Sequence, residues 1–427
     1  MNKINIVVFG LGVVGSALIK IIEKNKFIIN ENKINIVGIK ANNKNKKRSF
    51  ITKKYYWIDE LSSLDNTKVD LIIEAVGGTG SFVNSIYQYA IKRKISLITA
   101  NKAQLAENGN RYYHSFDKNN LFLGFEAAVL GAVPIARSIS QTVLPKKIRS
   151  IYGIFNGTTN YILSQMYLNK ISFKDSLSLA ISNGFAEQNS SSDISGKDAA
   201  HKLTLLSNLS FHQKFQFKDL SYSGIENIKL MDLDYGLQLG YKLKLLSISE
   251  KIGKNFYSSV APCFIKQNSI MANTEFEDNI CVVEGDDFIK TSLIGKGAGG
   301  FPTATSIVSD IIYFTSSNIN NIFNVNYTSM PLANYVNDNT RNRSYYIRLS
   351  VNNKVGVLKS ITQFFAKKAI SIKSIIQLNP EDSKTVPIVI ISNIVSHKKI
   401  VEITKMLKKN RYIKKEISTI RIEDKIG

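Results

Sequence analysis

The chain has 427 residues, with 56 Lys and Arg against 33 Asp and Glu, and a formal net charge of +23. Hydrophobic residues make up 44% of it and charged residues 21%, which is ordinary for a globular protein and excludes wholesale disorder. This length predicts about three domains at ~150 residues each. The two cysteines, Cys263 and Cys281, are too few for a disulfide framework and form no zinc-type motif, so we expect a reducing compartment, the cytoplasm.

The positive charge does not by itself indicate nucleic-acid binding. Lysine is scattered along the chain among Asn and Ile, as in residues 42–47, whereas nucleic-acid binders gather their charge into a patch. No apolar run reaches the ~18 residues of a transmembrane helix. Glycines also interrupt the apolar N-terminal stretch that would otherwise resemble a secretory signal. We therefore expect neither a nucleic acid nor a membrane as a partner.

The N-terminal segment predicts a strand, a glycine-rich turn and a helix. Residues 4–9 are apolar and β-branched, residues 16–22 have helical periodicity, and between them lies Gly10-Leu11-Gly12-Val13-Val14-Gly15. In this context GxGxxG is the dinucleotide-binding fingerprint. The first Gly permits the tight turn, the second lets the backbone approach a pyrophosphate, and the third lets helix and strand pack closely. We expect these six residues to bind a dinucleotide; an incidental glycine turn is the alternative.

The end of the second predicted strand bears on the choice between NAD and NADP. Residues 34–39 lead into Lys40, where an NAD-selective fold usually has an acid for the ribose 2′-hydroxyl. Four more basic residues follow: Lys44, Lys46, Lys47 and Arg48. A 2′-phosphate would be attracted there, so the pattern favours NADP, although lysine is common throughout this chain.

Strands and helices go on alternating after this point. Residues 70–75 and 95–99 predict strands, and they are followed by Gly77-Gly78 and by Asn101-Lys102. Ligands of open α/β sheets bind beyond the carboxyl ends of the strands, so Lys102 lies on the expected ligand face.

A single carboxylate interrupts an apolar run farther along the chain. Glu126 lies within residues 121–129, and such a group is rarely buried without a partner. It could form a strand-end salt bridge, or bind a cation together with carbonyl groups of the following loop, residues 129–134.

Acidic residues are concentrated in one segment near the middle of the chain. Glu187, Asp193 and Asp198 could bind an ammonium group, and Asp198 shares a predicted helix face with Lys202, four residues on. A surface ion pair is the simpler interpretation. The lysine could act as an acid or base if burial lowered its pKa against the effect of the carboxylates. His201 points off that face, and we expect it to be structural.

Several motifs in fixed order resemble the homoserine dehydrogenase family almost end to end. Besides the N-terminal GLGVVG they are TANKA at 99–103, FEAAV at 125–129, GIFNGTTNYIL at 153–163, GFAE…DISGKDAAHKL from 184 to 203, and GKGAGGFPTA at 295–304. The resemblance implies an α/β protein of three domains. These are a Rossmann-type nucleotide-binding domain (1–130), an α+β substrate-binding and dimerisation domain (131–335, with 300–320 packing back on the first), and a C-terminal ACT domain of ferredoxin-like fold (343–427).

The same resemblance implies an activity, the reversible NAD(P)H-dependent reduction of L-aspartate 4-semialdehyde to L-homoserine in threonine and methionine biosynthesis. It makes Lys202 the acid/base group, Asp198 its substrate-binding partner, and Lys102 a neighbour of the cofactor and the reacting carbonyl. Glu187 and Asp193 would hold the amino-acid end of the substrate.

The resemblance also implies ligands and partners beyond the substrate. NADP, with NAD as the other option, would contact the glycine turn and five further residues: Lys40, Lys102, Gly184, Glu187 and Gly297. A sodium ion would bind Glu126 and the carbonyl groups of Val129, Gly131 and Val133. A homodimer or larger homo-oligomer is expected.

The C-terminal segment has the pattern of an ACT domain, an amino-acid sensor. Residues 344–351 and 370–377 alternate like strands around a predicted helix. In this family the domain implies feedback by threonine. In the turn that approaches the ligand, Val355 replaces the usual Pro and Asn353 the usual Asp.

Two other functions compete with this interpretation. A phosphorylating semialdehyde dehydrogenase needs a thiolate beside a base, and Cys263 and Cys281 lie far from the acidic cluster in sequence. A non-catalytic amino-acid or nucleotide sensor would not need the proton-donor set of Lys102, Asp198 and Lys202.

Overall fold

The computed structural model describes residues 3–25, 28–29, 32–48, 50–142, 147–287, 289–316, 322–377 and 384–426. These residues form two β-sheets, one of six strands and one of eleven. In this part of the chain no helix is long and apolar enough to cross a membrane. Cys263 and Cys281 are buried free thiols.

The first sheet has the strand order β2-β3-β1-β4-β5-β6, in which β2 alone is antiparallel to its neighbour. The strands are β1 (Lys3–Phe9), β2 (Ile28–Ile29), β3 (Asn32–Lys40), β4 (Leu71–Glu74), β5 (Ser96–Thr99) and β6 (Leu123–Gly124). The helices between them are α1 (Val13–Asn25), α2 (Ser81–Arg93), α3 (Lys102–Asn108) and α4 (Tyr113–Lys118). Every residue of β4 and β5 is buried, as expected for parallel strands covered on both faces, and the Rossmann-type prediction is confirmed.

One layer over this sheet comes from far along the sequence. Helix α11 (Gly300–Ser316) packs against α1, and Ala304, Ile307 and Ile311 share a core cluster with Leu18 of α1. The glycine turn at the start of α1 is therefore also a contact point between distant parts of the chain.

The middle of the chain, residues 135–296, supplies six of the eleven strands of the larger sheet. Its strands are β7 (Ile148–Ile154), β8 (Ser221–Tyr222), β9 (Tyr241–Ile252), β10 (Asn255–Lys266), β11 (Asp278–Gly285) and β12 (Ile289–Lys296). Its helices are α5 (Ile135–Thr142), α6 (Gly157–Asn169), α7 (Phe173–Ser182), α8 (Ser191–Ile194), α9 (Lys197–Phe211) and α10 (Leu230–Gln238). Every residue of α9 after Lys197 is buried, which makes it the central helix of this domain.

The C-terminal part has the βαββαβ order of an ACT domain with a two-residue strand, β16, added before the second helix, and the predicted ACT domain is confirmed. Its elements are β13 (Asn342–Asn352), α12 (Val357–Lys367), β14 (Ile372–Gln377), β15 (Thr385–Ser392), β16 (Val395–Ser396), α13 (His397–Leu407) and β17 (Ile413–Ile422). β17 pairs in parallel with β10 at Arg421 and Ile422, so the ACT strands continue the sheet of the substrate domain. The sequence patterns of the two segments did not predict this junction.

Candidate active site

The glycine turn has the geometry that a dinucleotide needs. Gly10 has φ +94°, and a Cβ atom there would lie 2.3 Å from the backbone of Ala75. A Cβ atom on Gly15 would lie 1.9 Å from the carbonyl oxygen of Gly10. No described atom lies within 4 Å of a Cβ atom built on Gly12. Packing thus requires the outer two glycines, and the middle one borders open space at the N-terminus of α1, where phosphate groups bind.

A buried carboxylate organises the neighbouring loop. Glu74, at the end of β4, accepts the amide of Gly77 at 3.1 Å and the hydroxyl of Thr99 at 2.7 Å. The side chain of Asn101 donates to the carbonyl oxygen of Gly78 at 2.7 Å. Burial raises the pKa of Glu74. No role for Glu74 was predicted from the sequence. The available signal was an acid at the end of an apolar strand, shortly before a glycine pair.

Lys40 lies at the carboxyl end of β3, as expected. Its backbone carbonyl accepts the amide of Gly10 at 2.9 Å, and its ammonium group donates to the carbonyl oxygen of Ile58 at 3.0 Å and to that of Asp59. The ammonium group also lies 5.5 Å from the ring centroid of Phe82. A cation is therefore held beside the glycine turn.

Three elements bring their polar side chains together at Asp198, in the first turn of α9. One carboxylate oxygen lies 2.9 Å from Nζ of Lys202, and the other lies 2.9 Å from Nζ of Lys102, the first residue of α3. The side chain of Asn156, which caps α6, donates to Asp198 at 2.9 Å. Lys202 also donates to the carbonyl oxygen of Phe155 at 2.7 Å. The predicted pairing of Asp198 with Lys202 is confirmed, and it is buried rather than on the surface.

These contacts determine the charges at the centre of the site. Burial works against ionisation of Asp198, but the ammonium groups of Lys102 and Lys202 hold the pKa of its carboxyl group well below the usual range. The charge of Asp198 in turn raises the pKa of Lys102. One carboxylate is therefore shared by two cations, whose remaining N–H donors can stabilise a developing oxyanion.

The other two predicted acids lie around this centre. Asp193, in α8, accepts a hydrogen bond from the side chain of Asn156 at 2.7 Å. Burial and the nearby charge of Asp198 raise the pKa of Asp193. Glu187 is exposed, and its charge contributes to the raised pKa of Lys102. Asn156 lies in the GIFNGTTNYIL motif, and the structure shows that its side chain bridges two acids.

The two lysines differ in accessibility. The side chain of Lys202 is 7% exposed and that of Lys102 is 37% exposed. An ammonium group has three N–H donors. Lys202 uses two of them within the described residues, on Asp198 and on Phe155, which leaves one for a ligand.

The predicted nicotinamide-lining residues lie on two separate loops. Gly184 has φ +76° and no described neighbour within 4 Å of a Cβ atom built there. A Cβ atom on Gly297 would lie 2.2 Å from the side chain of Asn279, and one on Gly131 would lie 2.6 Å from the backbone of Gly297. Asn279 is fully buried, and its amide atoms have no hydrogen-bond partner among the described residues. Nothing in the sequence pattern of β11 singled it out.

Glu126 is buried and bonded to the first turn of α5. Its carboxylate accepts the amides of Ala136 at 2.9 Å and Arg137 at 2.8 Å, at the N-terminus of α5, and its own amide donates to Asp310 at 3.0 Å. The described residues contain no group of three or more His, Cys, Asp or Glu side chains that could hold a metal ion. The carboxylate therefore caps a helix.

A continuous path of contacts joins the glycine turn to Lys202. Gly10 abuts Ala75, the loop after β4 is bonded to Asn101, and the next residue, Lys102, pairs with Asp198. The cluster of Lys102, Asp198 and Lys202 is thus linked by direct contacts to the glycine turn. This fold and this site define an NAD(P)-dependent dehydrogenase.

Comparison with known proteins supports an NAD(P)-dependent dehydrogenase and indicates its family. Family models described as "Homoserine dehydrogenase", "Homoserine dehydrogenase, NAD binding domain" and "ACT domain" match residues 134–312, 10–121 and 345–411. A homoserine dehydrogenase of Helicobacter pylori is 32% identical over 99% of this chain and 100% of its own length. One from Neisseria gonorrhoeae is 31% identical over 99% of both. The crystal structure of a Thiobacillus denitrificans homoserine dehydrogenase superposes with a TM-score of 0.91, at 28% identity, over 99% of each chain.

The chain belongs to the homoserine dehydrogenase family. It is an NAD(P)-dependent oxidoreductase of amino-acid biosynthesis with homoserine dehydrogenase activity, and the resemblance drawn from its motifs is confirmed.

Proposed function

We propose that this chain reduces L-aspartate 4-semialdehyde reversibly to L-homoserine, that NADPH is its preferred reductant, and that Lys202 is the proton donor. One observation carries the proposal: a nearly buried lysine is fixed by Asp198 at 2.9 Å and by the carbonyl oxygen of Phe155 at 2.7 Å. Asp198 also binds Lys102, which directly follows the residue bonded to the loop beside the glycine turn.

The chemistry divides between the cofactor and the protein. When bound, the nicotinamide supplies or accepts the hydride. Lys202 donates a proton to the aldehyde oxygen as negative charge develops on it, and takes the proton back from the hydroxyl group of homoserine in the reverse direction. Asp198 orients Lys202, and Lys102 adds a second positive charge near the same oxygen.

The remaining acids are suited to the amino-acid end of the substrate. Asp193 and Glu187 surround the lysine pair, so we assign them to the substrate ammonium group. The position of Asp193 is supported by its bond to Asn156. Glu187, Gly184 and Gly297 are the proposed contacts of the nicotinamide.

The preference for NADPH is supported by the charge near the end of β3. The ammonium group of Lys40 is held there by carbonyl groups, and Lys44 and Arg48 each lie 5.7 Å from the ring centroid of Trp57. A ribose 2′-phosphate would find cations at this position.

Binding of a sodium ion at Glu126 and the nearby carbonyl groups remains a prediction that rests on the family resemblance. The carboxylate of Glu126 is bonded to two amides, and the carbonyl oxygen of Gly131 accepts the hydroxyl group of Ser306 at 2.5 Å. A carboxylate has about four lone-pair sites and a carbonyl group two, so these oxygens keep sites with which they could bind an ion. The carbonyl oxygen of Val133 accepts the amide of Ile135 at 2.8 Å. No step of the mechanism depends on an ion here.

The proposal also includes an effector, an oligomeric state and a cellular location for the protein. Threonine is the proposed effector, supported by the ACT family match and by the ACT strands in the second sheet. We retain a homodimer, a cytoplasmic location and domain limits of 1–130, 131–335 and 343–427.

The decisive experiment is an assay of semialdehyde-dependent NADPH and NADH oxidation by the full chain and two lysine variants. Lys202→Ala should lower kcat by ~100-fold while NADPH still binds, because a positioned acid is lost. Lys197→Ala is the matched control, since Lys197 lies on the same helix and pairs with Glu107. Equal kcat in both variants would contradict the role of Lys202 as proton donor. Faster turnover with NADH than with NADPH would contradict the proposed preference for NADPH.

A further inference from the structure

Helix α3 spans the junction between the two domains that form the active site. It follows β5 of the first sheet, and it packs against α9, the central helix of the substrate domain. Lys102 begins α3 and reaches Asp198 of α9 at 2.9 Å. A single ion pair at one end would leave α3 free to pivot about that point, so the position of Lys102 depends on a second contact.

The second contact is made by Glu107, in the last turn of α3. One oxygen of its carboxylate, Oε1, lies 2.9 Å from Nε2 of His201 and 2.9 Å from Nζ of Lys197. Five residues separate Glu107 from Lys102, which is about 7.5 Å along a helix that rises 1.5 Å per residue. Contacts at two such points fix the direction of α3 across α9 as well as its distance.

In the described structure the other polar side chains of α3 bond elsewhere. Gln104 bonds to Asn84, and Asn108 bonds to Gln104. Among the described residues, Lys102 and Glu107 are therefore the two whose side chains join α3 to α9 by hydrogen bonds or ion pairs.

His201 is the buried partner of this carboxylate. Its side chain is 4% exposed, and its ring centroid lies 4.4 Å from that of Phe217. Burial lowers the pKa of His201, so the ring is neutral at neutral pH and donates one N–H to the carboxylate. The side chain of Lys197 is 40% exposed, and an ion pair at the surface contributes little. The contact between Glu107 and His201 therefore holds this end of α3.

The position of His201 on α9 separates this contact from the chemistry. Adjacent residues of a helix point about 100° apart, at 3.6 residues per turn. Asp198 and Lys202 share one side of α9, whereas His201 lies on the next side, where it meets Glu107. The two partners are 94 residues apart in sequence, so no local pattern indicated a role for either.

We propose that Glu107 and His201 are positioning residues, which hold α3 in the place where the ammonium group of Lys102 meets Asp198 and the developing oxyanion. The proposal rests on the proposed function, because it takes Lys102 to be the second cation of the site. Both residues act through Lys102 rather than on the substrate itself.

A double-mutant cycle tests the proposal by turnover. Glu107→Ala should lower kcat by ~10-fold, because Lys102 is displaced, and should cause no further loss in a chain that already carries Lys102→Ala. Glu107→Gln keeps an acceptor for the N–H of His201 and should retain most of the activity. His201→Phe keeps a ring beside Phe217 without the N–H donor, and it should behave like Glu107→Ala. Lys197→Ala removes the exposed partner of the same carboxylate and should leave kcat unchanged.

Chemical labelling of lysines tests the proposal without turnover. In trace acetylation of the full chain, followed by mass spectrometry, Lys102 should react about 3-fold faster in Glu107→Ala, because its ion pair with Asp198 is loosened. Lys202 should react at an unchanged rate, since its own bonds do not involve α3. A general loss of stability would instead accelerate the labelling of both lysines.

Three results would overturn the proposal. Glu107→Ala leaves kcat unchanged; or it lowers kcat by the same factor with and without Lys102, as a general structural defect would; or Lys102 is labelled equally fast in Glu107→Ala and in Lys197→Ala. The proposed function fails separately, if the unchanged chain does not turn over the semialdehyde. The labelling rates would then still decide whether Glu107 positions Lys102.

Discussion

At the scale of single residues, the site depends on a few side chains with unequal protonation. Asp198 is ionised because two ammonium groups outweigh its burial, whereas burial and the charge of Asp198 raise the pKa of Asp193. Two carboxyl groups bonded to the same amide, that of Asn156, thus titrate in different ranges. Different environments for like groups are a common feature of catalytic sites.

This difference predicts a pH dependence of substrate binding. As the pH falls through the raised pKa of Asp193, the carboxylate becomes neutral and attracts the substrate ammonium group less. As the pH is lowered, KM for the semialdehyde should therefore begin to rise at a higher pH than it would if Asp193 had the pKa of an ordinary aspartate. Asp193→Asn should raise KM for the semialdehyde at neutral pH by roughly 10-fold or more, because a charge-assisted hydrogen bond is lost. In this variant KM should no longer rise as the pH is lowered, because asparagine does not titrate. Measured KM values that stay flat between neutral pH and pH ~5 would contradict this assignment.

At the scale of secondary-structure elements, helix ends position much of the site. Asn156 caps α6 and binds both acids, Asn101 caps α3 directly before Lys102, and Glu126 caps α5. An N-terminal cap fixes where a helix begins, and hence where its first side chains point. Cap residues are common in sequences, so these three were not distinguishable from ordinary caps until the structure brought their helices together.

The cap at α5 predicts a stability change that also bears on sodium. Glu126→Ala should lower the free energy of unfolding by ~1–2 kcal/mol, and Glu126→Gln by less, because glutamine keeps an acceptor for the helix amides. Glu60→Ala is an exposed control. Urea unfolding measured in NaCl and in choline chloride should give the same loss. A loss confined to NaCl would instead show that Glu126 binds sodium.

At the scale of the whole molecule, the ACT domain is joined to the substrate domain by a shared sheet and a buried ion pair. Arg348 of β13 reaches Asp232 of α10 at 2.7 Å, and the exposed fractions of the two side chains are 3% and 0%. A charge left alone in such a place is far more costly than one at the surface. The junction is therefore part of the folded core rather than a flexible linkage.

Arg348→Ala tests this junction. It would leave Asp232 buried without its partner, and we expect the free energy of unfolding to fall by ~3–5 kcal/mol. Arg411→Ala, at an exposed arginine of the same domain, should change it little. Thermal and urea unfolding of the two variants measure the difference. Similar stabilities would show that the sheet pairing alone holds the domains together.

Those features that depend on neighbours along the chain can be predicted from the amino-acid sequence. The glycine fingerprint, the order of strands and helices in the first domain, the ACT pattern, and the pairing of Asp198 with Lys202 across one helical turn all follow from local spacing. The contacts between distant segments could not be predicted in this way and are seen only in the folded molecule. Among these are Lys102 reaching Asp198 from 96 residues away, Asn156 bridging two acids, and β17 extending the sheet at β10. The physical reason is that periodicity and capping act within a few residues, whereas these contacts arise from packing of whole elements, which no local pattern encodes.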